Sequence, residues 1–158
     1  MKIRSSRTAN AFSLVEVVLA LGVVSFAIVA ILGILPVGLS TGHSAQDETR
    51  AAQIAEDILA SLAGQAPTNY DNASIQQPSG FQFAVPLNQD KDYPPLGASN
   101  DGTLNAAYAP GMPYQITLST KTSVAGFDAG YACQVSVRVA WQPFSQNYRD
   151  YIRIISKY

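Results

Sequence analysis

Residues 11–36 read AFSLVEVVLALGVVSFAIVAILGILP. From Val17 to Leu35 every side chain is apolar or small except Ser25. About 19 such residues, at 1.5 Å per residue, match the roughly 30 Å thickness of a bilayer's hydrocarbon layer. If Pro36 is tolerated, the run extends to Leu39. One residue resists this reading. Glu16 sits near the start of the run, and a carboxylate within a bilayer costs about 2.5–3.5 kcal/mol on insertion scales. Two accounts are open. Glu16 lies shallow, reaches the interface and favours the positive end of the helix; or it has a partner.

The residues before the run carry charge of one sign. Lys2, Arg4 and Arg7 precede Phe12, and no acid does. A basic stretch ahead of an apolar one has the outline of a secretory signal peptide, but a cleaved apolar core is usually about 7–15 residues. No small-x-small cleavage site follows; STGHSAQ, residues 40–46, places His43 wrongly. A membrane-spanning helix is the better expectation, with the basic end kept in the cytoplasm by the positive-inside rule. The protein is then expected in the inner (cytoplasmic) membrane, single-pass, its body extracytoplasmic.

The stretch AFSLVEVVLALGVVSFAIVAIL resembles the N-terminal motif of type IV prepilins and type II secretion pseudopilins. In that family a short basic leader ends in a small residue, a phenylalanine follows, and a glutamate lies four residues further on. The resemblance implies cleavage by a prepilin peptidase between Ala11 and Phe12, methylation of the new N-terminus, and a subunit-assembly role for Glu16. Ser13, Leu14 and Val15 fit the pattern between them. Ala11 departs from the glycine usual before the cut. In these filaments the glutamate meets the N-terminal amine of a neighbouring subunit, which implies a partner for Glu16. An α-amine has a pKa of about 7.7–8.0 and is largely cationic at neutral pH. A charge buried without its partner is costly. Together with GILPVGL and VSVRVAW, the chain also resembles the prepilin-like group called Verru_Chthon cassette protein B.

Pro36, between Gly33 and Gly38, is expected to kink or loosen the helix. From Ser44 to Ala63 the pattern is amphipathic: Ala51, Ala55, Ile58 and Leu62 recur at helical steps, flanked by Ala52 and Leu59. Asp47, Glu48, Glu56 and Asp57 lie mostly off that stripe, and Gly64 is the expected stop. Residues 64–112 are rich in Pro, Asn, Asp and Gly and read as long loops. FQFAVP, with Phe81, Phe83 and Val85 alternating, is the one strand expected there. Asp90, Asp92 and Asp101 lie in this region. Some pseudopilins bind calcium in a comparable loop, but the spacing fits no calcium-loop pattern.

The last third alternates. Tyr114, Ile116 and Leu118 share one parity. Cys133, Val135, Val137, Val139 and Trp141 share another, opposite Gln134, Ser136 and Arg138. In the final run Ile152 and Ile154 oppose Arg149, Tyr151, Arg153 and Lys157. Such alternation predicts a half-buried antiparallel sheet. Arg138, Arg149, Arg153 and Lys157 are expected to share its exposed face.

The expected organisation is a basic leader, 1–11; a transmembrane and assembly helix, 12–39; an amphipathic helix, 40–63; a loop-rich region with a short strand, 64–112; and an antiparallel sheet, 113–158. The fold class is α+β, and the resemblance implies a pilin-like layout. Without the leader, seven basic side chains face eleven acidic ones, so nucleic acid is not an expected partner. The lone cysteine, Cys133, excludes an intrachain disulfide and a Cys-rich metal site, and a His-dependent catalytic triad would have to use the lone histidine, His43. No G-x-S-x-G, P-loop or H-E-x-x-H motif occurs. The expectation is a non-enzymatic filament subunit, a minor pilin or pseudopilin, with no cofactor or metal. Its expected partners are prepilin peptidase, sibling subunits and the inner membrane. The alternative is a single-pass anchored binding domain that does not assemble.

Overall fold

The structure, a computed structural model, describes residues 13–127, 130–142 and 146–157. Contacts divide the chain into two units, one up to His43 and one from Ser44 onward.

The first unit is helical. Helix α1 spans Leu14–Asn69 and so continues into the second unit. It opens on Ser13, whose carbonyl accepts bonds from Glu16 N at 3.0 Å and Val17 N at 3.2 Å. The helix is long and apolar enough to cross a membrane, with a mean hydropathy of 2.9 over its most apolar window. At Pro36, where a kink or loosening is expected, the helix is not ended: α1 runs through it. An interior proline costs about 3 kcal/mol. Unwinding in apolar surroundings would strip several peptide groups of their partners, at several kcal/mol each. Continuing the helix is cheaper. Ser25 Oγ donates to Leu21 O at 2.7 Å, and Ser40 and Thr41 both donate to Val37 O. These hydroxyls are satisfied within the helix.

In the second unit α1 buries Ala51, Ile54, Ala55, Ile58, Leu59, Leu62 and Ala66. The expected stripe is present, with Ile54 and Ala66 added. Gly64 does not end the helix, which continues to Asn69. A glycine terminates a helix by adopting a left-handed backbone, and Gly64 is not among the glycines with positive φ. The stripe extends instead by one turn, from Leu62 to Ala66. Gln65 holds that turn: its Nε2 donates to Ser74 O at 2.6 Å, and its Oε1 accepts from Ser74 N at 3.2 Å.

After a short 3₁₀ turn at Tyr70–Asn72, eight strands follow: β1 Ser74–Gln76, β2 Gln82–Ala84, β3 Lys91–Asp92, β4 Leu96–Ala98, β5 Leu104–Asn105, β6 Tyr114–Lys121, β7 Ala132–Trp141 and β8 Asn147–Ser156. β1 and β2 form a hairpin, and the others form a sheet of order β5-β4-β6-β7-β8 with β3 also on β6. Every pairing is antiparallel. Region 64–112, expected to hold one strand, therefore holds five short ones. β3 and β4 act as one strand beside β6, interrupted at Pro94 and Pro95. Across that gap the register slips by one residue, from Asp92↔Ser119 to Leu96↔Ile116. Prolines cannot donate to the ladder and confine themselves to such bulges.

The sheet's inner face carries Tyr114, Ile116, Leu118 and Thr120 of β6 and the odd residues Cys133 to Trp141 of β7, all buried. They share one core with the α1 stripe. Fully burying a Leu or Ile such as Leu62 or Ile116 contributes about 1.5–3 kcal/mol. β8 corrects the reading of the basic face. Val137 pairs with Tyr151 and Val135 with Arg153, so Arg149, Tyr151 and Arg153 lie on the inner side. Ile152 and Ile154 point outward, 62% and 49% exposed. The cause is the acids of α1. Arg149 meets Glu48 at 2.8 Å and Arg153 meets Glu56 at 2.7 Å. From Glu48 to Glu56 the helix rises about 12 Å, and from Arg149 to Arg153 the strand rises about 13 Å. The two spacings match. Arg138 stands on the outer side and pairs with Asp150.

Candidate functional site: Glu16 in the apolar helix

The residues from Leu14 to Leu39 are all exposed. Two polar side chains occur among them, Glu16 and Ser25. Ser25 is internally bonded. Glu16 has no hydrogen bond or ion pair among the described residues. It stands three residues after Ser13, the spacing of a capping box, in which the glutamate reaches back to the first residue's N–H. The backbone bonds to Ser13 O are made, but that reciprocal side-chain bond is not among those formed by the described residues. The carboxylate is left facing out, in the first turn of a helix whose surface up to Leu39 is otherwise apolar apart from Ser25. Ala11, Phe12, Lys2, Arg4 and Arg7, the other residues of the expected processing site, lie outside the described residues.

Asp90, Asp101 and Cys133 are committed to the fold. Asp90 Oδ1 accepts from Thr122 N at 2.6 Å and from Thr122 Oγ1 at 2.7 Å, and these bonds hold its pKa below the usual carboxylate value. Asp101 accepts from the Ser99 hydroxyl and from Thr103 N. The Ser99 bond first, then those from Thr103, pull its pKa down to about 2. It closes the turn in which Gly102 adopts φ 89°. Asp90 thus ties its loop to Thr122 and Asp101 closes a turn of its own, and no group of three metal-ligating side chains occurs among the described residues. Cys133 is buried, and burial pushes its thiol up to about 11, far from nucleophilic use at neutral pH. His43 is exposed on the helix.

Two further features escaped the sequence reading. Asp47 accepts from the Tyr114 hydroxyl at 3.0 Å. Burial, and then this bond, pushes Tyr114 up to about 12. An open cleft of about 420 Å³ lies between the helix side chains Arg50, Gln53 and Asp57 and the turns at Ser79 and Asp101. The first had no local signal, because its partners are 67 residues apart. The pairing of Glu48 and Glu56 with Arg149 and Arg153 did leave one: the matched rises of about 12 and 13 Å. No protein-family model, curated protein or solved structure matches the chain.

Proposed function

We propose that the protein is a minor pilin or pseudopilin, a structural subunit assembled through its N-terminal helix into a type IV pilus or type II secretion-like filament. The observation that carries this reading is Glu16, the single polar side chain of residues 14–39 with no bond among the described residues. A carboxylate at that place costs free energy in lipid and stops costing it when a cation docks beside it. An isolated subunit is penalised and an assembled one is not. A neighbour's N-terminal amine, freed by prepilin peptidase between Ala11 and Phe12, supplies that cation. The body from Ser44 onward is then the part displayed outside the membrane.

The division of the chain at His43 favours a second reading equally, that of an anchored domain that does not assemble, since a self-contained body needs only a tether. The mature N-terminus separates the two. Mass spectrometry of the protein extracted from its native membrane should show a chain beginning at an N-methylated Phe12. An intact leader supports the tether, and a chain beginning after Leu39 excludes both.

A further inference from the structure

We propose that the open edge of β8 takes up an extended segment of another polypeptide as an added strand, one that is aliphatic at every second residue and acidic between. This goes beyond the assembly reading and stands apart from how the N-terminal helix is used. β8 ends the sheet. It runs for ten residues beside β7 in unbroken register, with no proline and no bulge. Just past it, Lys157 N donates to Tyr131 O at 2.9 Å. In an antiparallel pair the residues that exchange bonds alternate, so the odd residues of β8 turn their backbone groups to β7. The even residues, Tyr148, Asp150, Ile152 and Ile154, turn theirs to the open edge. Tyr148 O accepts from Arg149 Nη1 at 3.2 Å. The N–H and C=O groups of Ile152 and Ile154 meet no partner among the described residues.

Such an edge is a template for another strand, and folded proteins blunt it with prolines, bulges, charges or brevity. The opposite side of the sheet is blunted in this way: β3 and β5 have two residues each, and Pro94 and Pro95 follow β3 closely. β8 instead carries Ile152 and Ile154, the two exposed branched aliphatic side chains among the described residues from Ser44 onward. They belong to the same residues whose backbone is open. Backbone groups repeating every two residues, about 7 Å apart, fit another extended backbone, and its side chains opposite the isoleucines must be apolar. The other parity sets the charge. Arg149 and Arg153 stand there, and Arg153 meets Glu56 through Nη2 alone, which leaves guanidinium donors for a further acid. A second copy of β8 offers none, because its one acid, Asp150, lies on the isoleucine parity and is bonded to Arg138. The occupant is therefore a different strand.

The test is amide hydrogen exchange of the full chain in detergent micelles, resolved by NMR, with and without a peptide probe. The probe is a blocked peptide of about eight residues alternating valine and glutamate, the length of an ordinary strand. In excess it should slow exchange at Asp150, Ile152 and Ile154 about tenfold. The amides of Tyr151 and Arg153, already bonded to β7, should be slow throughout and report that the sheet is intact. The same peptide N-methylated on the residues that face the edge, or with lysine in place of glutamate, should give no slowing. Ile154→Lys, which puts a charge on the edge, should abolish the effect. So should Ile152→Pro, which removes an N–H that faces away from β7; if that variant fails to fold, Ile154→Lys decides. No slowing, equal slowing by either control peptide, or slowing confined to β3 or β5 overturns the proposal. So does protection that appears without peptide and grows with protein concentration, since the occupant is then a second copy.

Discussion

Val24 and Val137 are the same side chain in opposite circumstances. Val24, in the apolar helix, is 53% exposed, and Val137, in the centre of the sheet, is 0% exposed. Residues 14–39 present apolar surface on every side, while the unit from Ser44 onward folds its apolar residues inward around one core. An exposed apolar surface of that extent belongs against a membrane or a partner. The contrast separates two kinds of stability. One is internal to the chain and is read by unfolding. The other exists only once lipid or a neighbour supplies the missing contacts.

The largest effect should come from the core. Leu62→Ala removes a fully buried side chain and should destabilise the unit from Ser44 onward by about 2–5 kcal/mol. The matched change in the other region, Leu21→Ala at a side chain 62% exposed, should leave that unfolding transition where it was. A chain beginning at Ser44 should be soluble and unfold cooperatively in denaturant. If it does so only with partners present, the α1 stripe was meant for another molecule and the contrast fails. Gly97→Ala comes next. A Cβ there would run into Met112 Sδ and lie 3.3 Å from Ala107 O, so overpacking should cost about 1–3 kcal/mol by thermal melt.

Glu16→Leu sharpens the contrast from the other side. It should leave expression, the mature N-terminus and body unfolding unchanged, because the residue lies outside the folded unit and beyond the expected cut. Recovery of sibling subunits by co-purification should fall about tenfold, the size of a ~1.4 kcal/mol loss. Equal recovery would reduce Glu16 to a residue near a helix end that reaches the interface. The smallest effects belong to the exposed ion pairs. Arg153→Ala, which removes the partner of Glu56, should cost no more than about 1 kcal/mol.

Acid should weaken the body. The bonds from Ser99 and Thr103 hold Asp101 down to about 2, below the ordinary carboxylate value of about 3.9. A depressed folded-state pKa contributes stability that is present above the unfolded value and lost as pH falls through the folded one. Asp150, held low mainly by its bond from Arg138, acts in the same direction. Body stability should therefore decline between about pH 4 and pH 2, and Asp101→Asn should flatten that decline. A carboxyl titrating near 3.9 by NMR would show the Ser99 turn to be open in solution.

The sequence by itself determined the apolar helix, the amphipathic stripe after it, and the inward parity of β6 and β7. Each rests on a local period, 3.6 or 2, repeated over enough residues to be unambiguous. It also singled out Glu16, because one carboxylate in an apolar run is visible without any structure. Only the tertiary structure decided the rest. The helix runs through Pro36, and it passes Gly64 because Ala66 still has a core to enter. The short strands of region 64–112 exist because longer strands or one another pair with them; two or three residues carry no readable period. β8 turned its arginines toward the helix, against the expected outer face, because both of its parities mix apolar and charged residues. Alternation alone left that strand undecided, and the acids of α1, some 97 and 101 residues away in the chain, settled it.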